Sequence, residues 1–286
     1  MQVKDFNLKQ TLECGQCFNF EQIYSGASDE PEICEYKYIV VHAKRMLVVS
    51  QKGTELCFEN ATDEDIRKIW VPYFDLDRDY SEIKESIIKA DERLRPVIEE
   101  YYGIRILNQE FVETLISFII SQNSNIPRIK KTIRALSERY GNEIGEYEGK
   151  KYYSFPELSE LDKISEENFR ELKTGFRALY LRCAVDAMKG GGINEAALKG
   201  MSFQEAKERL CTIKGVGDKV ANCVLLFGLG FRGAFPVDVW IKRVMQKLYL
   251  PDEARAERLS EKGMEIFGEY GGYAQQYLFV FARNMR

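Results

Sequence analysis

Three short runs near the start of the chain, residues 37–42, 45–50 and 54–58, are rich in β-branched and aromatic side chains. Ala43-Lys44 and Gln51-Lys52-Gly53 part them, a spacing that predicts an antiparallel meander. Gly15-Gln16-Cys17-Phe18 precedes them between two apolar stretches and reads as a turn. From Thr62 the period changes. Thr62 is a good N-cap with acids at the next three positions, and Ile66, Ile69, Trp70 and Phe74 follow at helical spacing. Helical segments are expected around residues 81–89 and 94–102, until Gly103 interrupts the pattern. This predicts an N-terminal mixed unit of residues 1–105 and a second unit of residues 106–286.

The second unit is patterned for helices. Residues 111–121 are strongly apolar and end in Gln122-Asn123-Ser124-Asn125, a polar turn. In the next helix Arg128, Lys131 and Arg134 share one face, which suits either a solvated surface or contacts to phosphate. Residues 141–157 are expected to form a long loop. Residues 166–189 are helical with a break at Thr174-Gly175-Phe176-Arg177. A helix over residues 202–210 enters Gly215-Val216-Gly217, and another leaves it. Asp238 caps a helix ending near Tyr249, and two last helices are expected over residues 252–267 and 272–286. The fold class is α+β: an antiparallel sheet with flanking helices, then a mostly helical two-part body containing a helix–hairpin–helix.

The chain has 286 residues, 30% charged and 45% apolar, with a formal net charge of −4. These values fit a globular protein, and the acidic balance argues against indiscriminate nucleic-acid binding without excluding one basic face. The longest apolar runs fall short of a membrane span, so a soluble, cytoplasmic protein is expected. Seven cysteines are scattered with a single histidine, His42. Cys14 and Cys17 make one C-x-x-C, too few ligands for a structural zinc site.

The chemistry concentrates between Leu210 and Met245. Gly215-Val216-Gly217 lacks the third glycine of a dinucleotide fingerprint and the Gly-Lys-Ser/Thr of a P-loop. What remains is a hairpin whose backbone amides can hold phosphate at the start of the following helix. Lys219 stands in that helix's first turn, against the usual electrostatic preference. It is either an exposed lysine that tolerates the position or an amine nucleophile. Lys219, Cys223 and Phe227 recur at i, i+4 and i+8, so one stripe carries an amine, a thiol and a ring. Asp238 is suited to capping, and its carboxylate could also stabilise a cation developing on a sugar.

With these residues in place, the chain resembles the helix–hairpin–helix–Gly/Pro–Asp superfamily of DNA glycosylases, and within it the 8-oxoguanine DNA glycosylase/AP lyases. The likeness implies that Lys219 is the Schiff-base nucleophile and Asp238 its catalytic carboxylate. It implies that the Gly15 backbone recognises the lesion, that Cys223 and Phe279 sandwich the flipped base with Phe227 packed behind, and that Gln275 reads its Watson–Crick edge. On the DNA side it implies that Asn123 fills the gap left by the base and that Arg128 and Arg177 face the estranged cytosine. Phe176 would be the aromatic wedge, while Gly215, Gly217 and Trp240 would contact the backbone. Phe176, Trp240 and Phe227 stand where better-known animal members carry tyrosine, histidine and methionine.

No cysteine follows Asp238, unlike the relatives that hold an iron–sulfur cluster there. The resemblance implies a bifunctional DNA N-glycosylase and DNA-(apurinic or apyrimidinic site) lyase, acting as a monomer on duplex DNA with 8-oxoguanine opposite cytosine. In a prokaryote it would associate with the nucleoid. No cofactor is expected to be required, with the hairpin backbone able to take a monovalent cation or a water. The alternatives are a glycosylase/lyase for another oxidised base and a non-catalytic helix–hairpin–helix DNA-binding protein.

Overall fold

The computed structural model describes residues 1–25 and 35–284. The chain has the expected α+β architecture. Helix α1 (Leu8–Glu13), capped by the Asn7 side chain, leads into a four-stranded antiparallel sheet. Its strands run in order β1 (Phe20–Ser25), β2 (Tyr36–His42), β3 (Arg45–Lys52) and β4 (Glu55–Phe58). Strand β1, with Glu21 and Gln22 among its residues, lacks the apolar pattern that marks the other three. The sheet and α1 enclose a small core: Leu8, Leu12, Tyr38, Val40, Leu47, Val49, Trp70 and Phe74 are buried together. Thr62 caps the next helical segment through a reciprocal capping box with Asp65.

Helices α2 (Tyr80–Ala90) and α3 (Arg95–Glu100) follow. Their apolar side chains, among them Tyr80, Ile83, Ile87, Val97 and Ile98, belong to the larger core that also holds Leu115, Leu181, Val224 and Leu278. A boundary after residue 105 therefore does not coincide with the division of the core, because helical period shows an apolar face and not what it packs on. Arg105 fastens the junction. Its buried guanidinium donates to the carbonyls of Lys4, Asp5, Asp75 and Arg78 and lies 4.3 Å from the Tyr80 ring centroid.

The body contains α4 (Phe111–Ile120) and α5 (Ile126–Tyr140). Residues 141–157 are not a loop. Strands β5 (Glu143–Tyr147) and β6 (Lys150–Tyr153) pair as a hairpin whose two turn residues, Glu148 and Gly149, both have positive φ. That backbone usually signals itself by Asn-Gly or Asp-Gly, and glutamate in the first position hides it. The body continues with α6 (Arg177–Lys189), α7 (Phe203–Cys211), α8 (Asp218–Phe227), α9 (Val239–Leu248), α10 (Ala256–Phe267) and α11 (Gly271–Asn284). The helix expected over residues 272–286 is thus found up to Asn284, and residues 285–286 lie outside the described chain. Among the described residues no helix is long and apolar enough to cross a membrane.

Candidate active site

The hairpin is built by exclusion of side chains. Helix α7 starts at a Ser202–Glu205 capping box, and buried Ile213 and Val216 anchor the turn beneath it. Gly215 has φ +91°, and a Cβ there would lie 2.1 Å from Cγ of Tyr180. No other residue fits without moving that ring. Gln122 fixes the turn from the other side, its Nε2 donating to the Gly215 carbonyl at 3.0 Å. Exposed Gly217 is the N-cap of α8 and offers no capping side chain, so the first amides of α8 are left for an outside acceptor.

Lys219 follows in the first turn of α8. Its Nζ donates to Ser121 Oγ at 3.3 Å and lies 4.9 Å from the Phe118 ring centroid. Ser121 sits just past the C-terminus of α4, and its hydroxyl donates in turn to the Phe118 carbonyl at 2.8 Å. The amine is thereby held between the start of one helix and the end of another. One turn further, Cys223 is buried, and burial pushes its thiol up to about 11 despite the opposing charge of Lys219. Phe227 stacks on Phe118 with centroids 5.5 Å apart and planes 13° from parallel.

Lys219, Cys223 and Phe227 form one wall of a cavity of about 600 Å³. Asp238 enters it from the start of α9. Its Oδ1 accepts from the backbone N–H groups of Trp240 and Ile241 at 2.9 and 2.8 Å, so capping fixes the carboxylate where it borders the cavity. Gly15, packed against α11, belongs to the same lining. Gly15 has φ +84°, and a Cβ there would approach the Phe279 ring to 3.1 Å. Buried Gln16 makes this turn rigid: its Nε2 donates to the carbonyls of Thr11 and Arg105 at 2.8 and 2.7 Å, and Leu107 N–H donates to its Oε1 at 2.9 Å. Gln275 is buried and lines the same space.

Of the remaining candidates, all but Trp240 lie outside the cavity. Phe176 projects from the start of α6 with 54% of its surface exposed, edge-on to Tyr180 and 4.7 Å from the Arg177 guanidinium carbon. Asn123 is exposed with φ +48°, and Arg128 is exposed at the start of α5. Arg177 is buried instead. Its guanidinium donates to the carbonyls of Gln122, Asn123 and Thr174 at 2.6, 2.9 and 2.9 Å. Here Arg177 holds the 122–124 turn in shape; burial, and then the Arg128 charge, depress its pKa. Trp240, expected on the DNA backbone, borders the cavity and lies under the Arg243 guanidinium at 5.1 Å.

Sequence reasoning missed Phe118, Ser121 and Gln276, all on the cavity wall. Ser121 could have been noticed as the polar residue ending an apolar helix, and Gln276 as a second glutamine beside the first. Cys14 and Cys17 are buried thiols. Cys14 is pushed up to about 12 by burial and donates to the Thr11 carbonyl at 3.2 Å. Among the described residues no cluster of histidine, cysteine, aspartate and glutamate could hold a metal ion.

Comparison with known proteins bears on this geometry. Residues 1–115 match the family model for the N-terminal domain of 8-oxoguanine DNA glycosylase, and residues 116–269 that for HhH-GPD superfamily base excision DNA repair proteins. The chain is 37% identical to N-glycosylase/DNA lyase OGG1 of Arabidopsis thaliana over 211 residues, which cover 70% of this chain but 58% of that protein. It is 33% identical to the N-glycosylase/DNA lyase of Saccharomyces cerevisiae, over 94% of this chain and 76% of that one. Among solved structures, it is similar to the Clostridium acetobutylicum 8-oxoguanine glycosylase/lyase in complex with double-stranded DNA containing cytosine opposite 8-oxoG. That likeness has a TM-score of 0.90 at 38% identity, covering 98% of this chain and 93% of the other.

Proposed function

The chain belongs to the 8-oxoguanine DNA glycosylase branch of the HhH-GPD base excision repair superfamily, and we propose that it excises 8-oxoguanine from duplex DNA. The observation that carries this is the shared cavity: Lys219 and Asp238 border one space together with Gly15 and Phe279. The hairpin amides hold the backbone, Phe176 enters the base stack, and the lesion leaves the helix for the cavity. Asn123 occupies the space the lesion leaves, exposed Arg128 faces the estranged cytosine, and Arg177 exchanges its carbonyl partners for that same base.

In the cavity the base lies between Cys223 and Phe279, with Gln275 at its Watson–Crick edge. As Lys219 Nζ bonds to C1′, the glycosidic bond breaks and its electron pair leaves with the base, which takes up a proton. Asp238 faces the positive charge that develops on the sugar. Opening of the sugar gives a lysine Schiff base. Loss of a C2′ proton then expels the 3′ phosphate and nicks the strand.

The Gly15 carbonyl supplies discrimination. 8-Oxoguanine carries a hydrogen on N7, whereas guanine presents a lone pair. An unpaired buried acceptor costs about 1–3 kcal/mol, so roughly a tenfold to hundredfold preference arises there. This chemistry requires no cofactor, though the hairpin backbone offers a place to a monovalent cation or a water. All the groups lie on one chain, so a monomer suffices. Its place of work is the duplex genome, the nucleoid if the host is prokaryotic. A panel of duplexes with single lesions tests the reading. 8-Oxoguanine opposite cytosine should be cut fastest, and preferential excision of thymine glycol would overturn the substrate.

A further inference from the structure

Helix α11 carries two adjacent glutamines to the cavity, and the mechanism above uses the first alone. Gln276 is as buried as Gln275, each 4% exposed, and both border the space that Gly15, Cys223 and Phe279 enclose. Gln276 Nε2 donates to Gln275 Oε1 at 2.8 Å. The Gln276 Oε1 is buried and has no hydrogen-bond partner. A buried amide oxygen without a donor is destabilising, and an apolar side chain of similar length would fill the position without that cost.

The arrangement suits one purine edge. Gln276 engages one lone pair of Gln275 Oε1 and leaves the other open, since a carbonyl oxygen accepts two hydrogen bonds. With Gln276 donating, Gln275 turns its oxygen toward it, since reversing the Gln275 amide alone would set two NH₂ groups against each other. Two residues that border the cavity thus hold two unused acceptors within one amide's width of each other, the second lone pair of Gln275 and the unpaired oxygen of Gln276. Guanine-derived bases present two neighbouring donors, N1–H and the N2 amino group. Hypoxanthine-derived bases keep N1–H and lack the amino group.

We propose that Gln276 Oε1 accepts a hydrogen bond from the N2 amino group of the flipped base, beside Gln275 Oε1 on N1–H. This rests on the reading of the cavity as an 8-oxoguanine site and adds a second specificity-determining residue to it. Gly15 tests oxidation at N7–C8, whereas Gln276 tests that the oxidised base is a guanine.

The experiment removes the amino group and the amide separately. Single-turnover excision is measured on two duplexes that differ only in carrying 8-oxoguanine or 8-oxohypoxanthine opposite cytosine. The readout is the ratio of the two rates, so a general loss of activity in a variant does not affect it. The wild-type chain should prefer 8-oxoguanine by about tenfold. In Gln276→Met the preference should fall to within about twofold. Gln276→Glu keeps an acceptor for the amino group, though not the NH₂ that orients Gln275, and should retain more of the preference than Gln276→Met. Equal rates in the wild type, or an unchanged ratio in Gln276→Met, would overturn the proposal. If Gln276→Met does not fold, Gln276→Asn replaces it: the shorter side chain withdraws the oxygen and should lose the preference, and retention would overturn the proposal. A wild-type chain that nicks an abasic duplex yet excises neither base would contradict the substrate reading instead.

Discussion

Lys219 lies between two helix ends of opposite polarity, the amide end of α8 and the carbonyl end of α4, with Ser121 Oγ as its hydrogen-bond partner. Replacing Ser121 by alanine should slow Schiff-base formation about threefold to tenfold, measured by single-turnover trapping, with duplex affinity little changed. Asp238 caps α9, and substitution can separate that from the catalytic role proposed for it. Asparagine caps a helix as well as aspartate does, so Asp238→Asn should melt within a few degrees of the wild type. It should nevertheless lose on the order of a hundredfold or more in excision rate, because the charge facing the sugar is gone. At Gly15 a methyl group would meet the Phe279 ring at 3.1 Å on a backbone with φ +84°. Gly15→Ala should therefore lose most 8-oxoguanine excision, while cleavage of a preformed abasic site, which brings no base into the cavity, falls far less.

The elements that place these residues were legible in the sequence where a local signal exists. Thr62 caps its helix as the acids after it suggest, the helix over residues 202–210 is found with Ser202 as its cap, and Asp238 caps α9 with its side chain. The β5–β6 hairpin was not legible, because Glu148-Gly149 adopts a turn usually marked by Asn-Gly. Strand β1 was also missed, being weakly patterned and irregular in register between Gln22 and Tyr24. Burial of Arg177 was invisible for a different reason: its carbonyl partners at 122 and 123 are more than fifty residues away. The helix–hairpin–helix makes a stability prediction of its own. In Gly215→Ala the Cβ would overlap Tyr180 at a positive φ, which should cost about 1–3 kcal/mol and lower the melting temperature accordingly.

At the scale of the molecule, the cavity draws on the turn after α1 and on α4, α5, α8, α9 and α11, segments that no local pattern connects. Resemblance to a family, rather than spacing, brought them together before the fold did. Glu113 and His42, which border a separate cleft, also set a pH response. Burial, reinforced by Glu110, raises the Glu113 carboxyl from the usual 4.5 to about 8. The folded chain thus keeps a proton that the unfolded chain has released, and the stability this contributes is lost as pH rises from about 4.5 through 8. Burial lowers His42 from 6.5 to about 4, so its contribution is lost in the other direction, as pH falls through that window. Glu113→Gln should accordingly melt higher than the wild type at pH 8, with the difference shrinking toward pH 5.

The proposed chemistry turns on one covalent bond, between Lys219 and the sugar. Incubating the chain with an 8-oxoguanine:cytosine duplex in the presence of borohydride should give a protein–DNA adduct whose modified residue maps to Lys219. Lys219→Gln should give none. An adduct that persists in Lys219→Gln, or wild-type excision with no adduct at all, would contradict it.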